Sequence, residues 1–330
     1  MRFMMLAAAA MVATPALADQ PDIRAIVDGH ILPGYETLER EASELSVAAT
    51  KDCSPENPSL IASYHVAFDA WVSVSHLRFG PSEEDDRAFA LAFWPDPRGS
   101  TPKALSALFR DEDAAVSDVE AFETVSVAAR GFYALEFLLF DPQFSAVDGP
   151  EYHCKLIKAI TTDIAMTANA IHEGWVDGYA DLMANGENNT YRSSTEAARQ
   201  LFTALSTGLE FTSQTRLGRP MGTFERPRPN RAEARRSERS LRHVVLSLKA
   251  TQELAALISG ENEALEQAFQ RAIGRAKNLE DPVFSGVDDP QGRFKVEVLQ
   301  QNIETIRTIL AEDVGLSLGI AAGFNSLDGD

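Results

Sequence analysis

The chain has little sulfur, little positive charge and almost no strand signal. Only Cys53 and Cys154 are cysteines among 330 residues, too few for an iron–sulfur cluster, and no Cys-x-x-Cys-His is present to attach haem covalently. A Gly-x-Ser-x-Gly turn, a glycine-rich phosphate loop and a His-Glu-x-x-His helix are all missing. The nearest match, His172-Glu173, lacks the second histidine at the required spacing. A zinc-peptidase site needs three protein ligands and an open position, and no recognisable set is offered. Lysine and arginine number 30 against 49 aspartates and glutamates, a formal charge of −19. That balance excludes nucleic acid as a partner, because phosphate binding needs a dominant positive surface. Past the N-terminus no apolar run reaches the ~20 residues a membrane span needs.

The first eighteen residues hold Arg2, an alanine-rich apolar stretch and Ala16-Leu17-Ala18 before the polar Asp19-Gln20. Such a stretch reads as a cleavable export signal, cut after Ala18, with the mature protein in the periplasm. An oxidising compartment would allow Cys53 and Cys154 to pair. The loop closed would be near 100 residues long and would add about 4 kcal/mol in the chain-entropy account; two unpaired buried thiols are the alternative.

What the chain has in abundance is three- and four-residue apolar spacing, which predicts an all-α protein. Helices are expected over about 21–50 (bent near Pro33-Gly34), 57–79, 103–110, 117–140, 150–184, 193–217, 231–259, 262–277 and 291–313. Asn57 before Pro58, Ser117 with Glu120, and Ser193 or Ser194 before Glu196 suit helix starts. Long helices joined by short loops favour antiparallel bundles, and the chain divides most naturally near 186–192. The expected organisation is a signal peptide over 1–18, one helical bundle over 19–188 and a second over 189–330.

Within the apolar run Val125 to Phe140, Gly131-Phe132-Tyr133-Ala134-Leu135-Glu136 puts a phenol and a carboxylate three residues apart on one helix face. Ionisable groups on an apolar stripe need a partner, whether a side chain, water, a metal or a ligand. Either the two residues address a ligand, or Tyr133 is a core tyrosine and Glu136 pairs with an arginine such as Arg130 or Arg78.

This segment resembles the signature of the imelysin-like proteins, Gly-x-His-x-x-Glu followed by an apolar run, with Tyr133 where the pattern has histidine. Ala70-Trp71, His76-Leu77-Arg78-Phe79-Gly80-Pro81, Phe93-Trp94-Pro95-Asp96 and Ser237-Glu238-Arg239-Ser240-Leu241-Arg242 extend the resemblance over most of the chain. It implies two related helical bundles with the signature helix near their junction, and a role in iron acquisition. It also implies a metal, with iron the candidate. Phenolate and carboxylate oxygens suit a hard trivalent ion, whereas imidazole suits zinc, copper or ferrous iron, so the tyrosine either shifts metal preference or abolishes binding.

Further candidates follow by position. His65, Asp69 and His76 share a stripe too long for one ion. His76 sits with Arg78 at the helix end and joins the ligand candidates, and His65 reads as a solvated surface histidine. From Arg216 to Arg242 nine arginines face only Glu225, Glu233 and Glu238, a patch that attracts anions or docks on acidic parts of the same chain. Arg228 to Arg236 reads as a loop and solvated helix start, with Arg239 and Arg242 facing the junction. The leading expectation is a non-catalytic periplasmic protein in which Glu136, Tyr133, His76 and Arg78 hold a metal or iron-containing ligand. Trp71, Arg239 and Arg242 would border that cleft, and the partners would be iron-uptake or haem proteins. The alternatives are a metal-dependent peptidase using Glu136, and an interaction module whose Trp71, Trp94 or Trp175 meets a membrane or redox partner.

Overall fold

The computed structural model describes residues 20–145 and 150–320; the expected signal peptide and its cleavage point lie outside them. Among the described residues the fold is all-α, with one isolated bridge between Thr223 and Arg226 and no helix long and apolar enough to cross a membrane. The long helices are Leu32–Lys51 (α1), Pro58–Val74 (α2), Ser100–Asp111 (α3), Gly131–Phe140 (α4), Pro150–Gly174 (α5), Ser194–Glu210 (α6), Ser240–Ser259 (α7), Glu263–Lys277 (α8) and Pro290–Ile309 (α9). α1 packs on α2 and α5, and α4 lies against α5; α6, α7, α8 and α9 pack among themselves. The two groups meet chiefly where α7 lies along α2, and a single cluster of buried apolar side chains runs through both.

Local chemistry sets most helix ends. Asn57 accepts from the Ser59 N–H ahead of α2, and Ser193 accepts from the Glu196 N–H ahead of α6. Cys53 and Cys154, 101 positions apart, form a disulfide, fastening the start of α5 to the segment after α1. Among the described residues four π turns interrupt or extend the helices: Val27–Ile31, Trp175–Tyr179, Phe211–Leu217 and Leu310–Gly315. The first takes the place of a bend at Pro33-Gly34, since Pro33 has no N–H to offer the preceding turn and the ladder widens there.

Three expected helices differ. The 57–79 helix stops at Val74, where the Ser75 hydroxyl and the Leu77 N–H take the Val72 and Val74 carbonyls and close a turn. The 117–140 segment is broken into Val119–Glu123, a 3₁₀ turn at Val127–Ala129 and α4. Asp118, not Ser117, caps the first piece, Ser126 caps the 3₁₀ turn, and Gly131 stands at φ +71°. A Cβ on Gly131 would lie 2.2 Å from the Ala90 and Leu91 carbonyl oxygens, so this glycine is what lets α4 begin hard against the Arg87–Leu91 helix. The 231–259 helix begins only at Ser240. Residues 232–239 form turns, with Ala234 and Glu238 at positive φ, because Glu233 and Ser237 are drawn inward to partners on α4 and beside it. Arg228 to Arg236 is thus no helix start.

Candidate functional site

α4 is buried on nearly every side, so its two ionisable residues meet protein rather than water. Three residues apart, Tyr133 and Glu136 both face the turns at 232–239. Glu136 is 2% exposed, and its Oε1 accepts from the Ser237 N–H at 3.0 Å and the Ser237 hydroxyl at 2.8 Å. Burial raises its pKa against the lowering pull of those two bonds. Neither expected arginine reaches it: Arg130 grips Asp163 through two bonds of 3.0 and 2.5 Å, and Arg78 grips Glu83.

Tyr133 donates to Glu233 Oε1 at 2.5 Å. The other oxygen of Glu233 takes Arg216 Nε at 2.7 Å, and Arg216 also donates to Ser247 Oγ at 3.1 Å and Thr212 Oγ1 at 3.3 Å. Arg216 and Glu233 are both almost fully buried. His243 Nδ1 stands 3.3 Å from Glu233 Oε2, too far off line to count as a hydrogen bond. Burial alone would raise the Glu233 pKa; Arg216 and His243 with the hydrogen bonds reverse this and hold it at about 2. Burial, then the Glu233 charge, push the Tyr133 phenol well above its usual value, so it stays a neutral donor. The π turn Phe211–Leu217 carries Arg216 inward, in keeping with the frequent use of such bulges at functional sites.

Beside this network lies a cavity of about 120 Å3. Trp71, Trp94, Tyr133 and Phe211 supply aromatic wall, while Arg78, Arg216, Glu233, His76, Ser75 and Ser247 supply polar atoms. Trp94 stacks on Tyr133 with centroids 6.1 Å apart and meets Phe211 edge-on at 5.8 Å. Gly208 allows α6 to close the back, since a Cβ there would sit 2.6 Å from the His76 Cβ. His76 is buried; its Nε2 is 3.2 Å from His30 Nε2, and its Nδ1 has no partner. Burial first, then His30 and Arg216, hold its pKa well below the usual range, so a neutral imidazole faces the cavity. A larger groove of about 460 Å3 around Asn262 and Glu266 is open surface, and no sequence-derived candidate borders it.

Of the candidates, Tyr133, His76, Arg78 and Trp71 line one cavity, whereas Glu136 lies behind it on Ser237. Arg239 and Arg242 do not border it. Both close on Asp69, Arg239 through Nη2 and Arg242 through Nε at 2.7 Å. His65 is not a solvated surface histidine: it stacks flat on Phe140 at 5.8 Å, its Nε2 is buried without a partner, and burial lowers its pKa to about 4. Trp175 is fully buried against Tyr35, so it meets no outside partner. Phe211 carried no sequence signal, Arg216 and Glu233 stood out only as members of the arginine-rich run, and Ser237 only within the family-like motif; none was expected at the site. The one available hint was Glu233 standing between Ala232 and Ala234 inside an arginine-rich run, a carboxylate flanked by small residues.

A bare ion does not suit these donors. Among the described residues no three His, Cys, Asp or Glu side chains converge as metal ligands. Glu136 and Tyr133 are already committed, and the cationic Arg216 lies beside Glu233, the one carboxylate at the cavity wall.

Comparison with known proteins agrees with this geometry at the level of family and fold. The family profile described as Peptidase_M75, imelysin, matches residues 31–310. An imelysin-like protein from Psychrobacter arcticum 273-4 superposes with a TM-score of 0.76 at 18% identity, covering 92% of this chain and 96% of that one. A “putative iron-regulated protein A precursor” from Parabacteroides distasonis ATCC 8503 superposes with a TM-score of 0.73 at 14% identity, covering 92% and 97%. No curated protein matches the chain in sequence.

Proposed function

The chain belongs to the imelysin family, and from that premise we propose that it is a non-catalytic periplasmic binding protein of iron acquisition. Its ligand carries the metal already complexed. The iron link rests on the family resemblance and on the “iron-regulated” name of one structural neighbour; the Cys53–Cys154 disulfide supports an oxidising compartment.

The observation that carries the reading is the cavity where Trp71, Trp94, Tyr133 and Arg216 meet. A cavity near 150 Å3 accepts a benzene-sized ring, so about 120 Å3 suits one small planar group. Aromatic walls would stack on it, and the Arg78 guanidinium, which keeps Nη1 outside its two bonds to Glu83, offers a hydrogen bond to an anionic edge. The chelate thus supplies the metal donors that the protein does not gather. For a peptidase, Glu136 would have to reach substrate, yet its acceptor oxygen is occupied by Ser237 and it lies outside the cavity lining.

The test is tryptophan fluorescence of the protein titrated with ferrous iron, ferric iron, ferric citrate and haem, with metal content measured on protein purified without chelator. Ferric citrate binding at micromolar affinity or better, weakened in Trp94→Ala and unchanged in Glu136→Gln, is expected, with no binding of haem, whose macrocycle is far larger than the cavity. Tight binding of bare iron lost in Glu136→Gln would replace this reading with direct metal ligation. Chelator-sensitive peptide cleavage would replace it with the enzyme.

A further inference from the structure

Among the described residues the two most exposed large apolar side chains are Phe224, 69% exposed, and Phe294, 64% exposed. Phe224 stands at the tip of the turn closed by the Thr223–Arg226 bridge, and Phe294 lies near the start of α9. Arg293 joins the two segments. Its Nη1 donates to the Met221 carbonyl at 2.5 Å and the Thr223 carbonyl at 3.2 Å, while its guanidinium lies 5.8 Å from the Phe224 ring. The tip is therefore held against the helix end, and little ordering is needed before it binds anything.

Arg226, Arg228 and Arg231 are exposed around this tip, and none forms an ion pair among the described residues. The Arg228 N–H bonds the Pro220 carbonyl at 2.8 Å and the Arg231 N–H bonds the Arg228 carbonyl at 2.8 Å, which folds the basic strand back beside the tip. Between Gly218 and Arg231 the only acidic residue is Glu225. On the α9 side, Asp288 and Asp289 oppose this charge, Asp289 while accepting from the Gln291 and Gly292 N–H groups, and Glu297 is paired with Arg293. The formal −19 of the whole chain does not cancel the patch, because charges beyond about 8 Å are largely screened at physiological ionic strength.

We propose that Phe224 and Phe294, ringed by Arg226, Arg228 and Arg231, form a docking surface for an anionic lipid bilayer. The two rings enter the headgroup boundary, and the guanidinium forks pair with lipid phosphates. Shape favours lipid over an acidic protein. Five consecutive residues, Gly222 to Arg226, are exposed, so the feature is a protruding tip, and a deformable surface accepts a protrusion without a matching pocket.

Co-sedimentation of the full-length mature protein with vesicles tests this, using phosphatidylglycerol mixed with phosphatidylcholine and, separately, phosphatidylcholine alone. Binding to the anionic vesicles is expected to exceed binding to the neutral ones by roughly tenfold or more and to fall with added salt. Phe224→Ser with Phe294→Ser, and separately Arg226→Gln with Arg228→Gln and Arg231→Gln, should each reduce it by a similar factor while thermal unfolding stays unchanged. These side chains are on the surface, so the variants retain the fold. No sedimentation, equal sedimentation with neutral vesicles, or variants that bind like the parent would overturn the proposal. Self-association on a sizing column that the arginine variant abolishes would also overturn it, reassigning the patch to a second copy of the chain.

Discussion

Glu136 and Glu233 are both sealed from solvent at 2% exposure, both accept hydrogen bonds at the same junction, and yet they are driven in opposite directions. Glu136 accepts hydrogen bonds only from the Ser237 N–H and hydroxyl; these neutral donors, with the charges of Arg236 and His243 farther off, do not offset burial, and its pKa rises. Glu233 meets the Arg216 guanidinium and the Tyr133 hydroxyl, and its pKa drops to about 2. Burial does not decide the charge of a carboxylate; its partners do. The difference also assigns the labour at the site: Glu233 anchors the cavity wall as a fixed anion, and Glu136 ties α4 to the turn that carries Glu233.

The sharpest way to break this contrast is Glu233→Gln, which strands Arg216 and should lower the unfolding free energy in urea by about 3–5 kcal/mol. Replacing both partners, Arg216→Met with Glu233→Met, should recover most of that loss, since an apolar pair leaves no charge uncompensated. A double variant no better than the single one would mean that the network holds the fold through shape rather than charge. Tyr133→Phe removes one bond to an ionised acceptor and should cost about 1.5–3 kcal/mol in the same assay.

Glu136→Gln is expected to change stability by less than about 1 kcal/mol near pH 4.5, because the amide mimics the protonated acid. The sign with pH then separates the two residues. A raised carboxyl contributes stability that is fully present below its unfolded pKa and lost as pH rises through the folded value. The glutamine variant should therefore overtake the parent as pH increases. For Glu233 the contribution is present above the unfolded value of 4.5 and lost as pH falls toward about 2, so the deficit of Glu233→Gln should shrink in acid. Identical pH profiles for the two variants would remove the distinction.

The smallest effect belongs to the histidines. His65, held at about 4, and His76, held well below 6.5, contribute stability above pH 6.5 that is lost as pH falls through the interval toward 4. His65→Phe, stacked on Phe140, should make that acid limb shallower in thermal unfolding measured across pH.

How much was legible varies by residue. Apolar spacing placed every long helix, because i, i+3 and i+4 neighbours are a local property of the chain. It erred where a local cap or a distant partner intervened, at Asp118 and at 232–239. The i, i+3 pair Tyr133 and Glu136 was visible for the same local reason, and His76, Arg78 and Trp71 came with the family's short motifs. Arg239 and Arg242 were visible as charges, but whether they faced the junction cavity or Asp69 depended on the rotation of α7 against α2, which no local pattern records.

Sequence alone determined the all-α class, the pair of cysteines, the family signature and the candidate helix, since each is written in residue type and short-range spacing. Tertiary structure alone decided in which direction each buried carboxyl is shifted, Glu136 upward and Glu233 downward. Tyr133 and Glu233 are 100 positions apart, and Glu136 and Ser237 are 101 apart. The electrostatics of a buried group are set by what lies within a few ångströms in space, and that proximity comes from the packing of the whole chain.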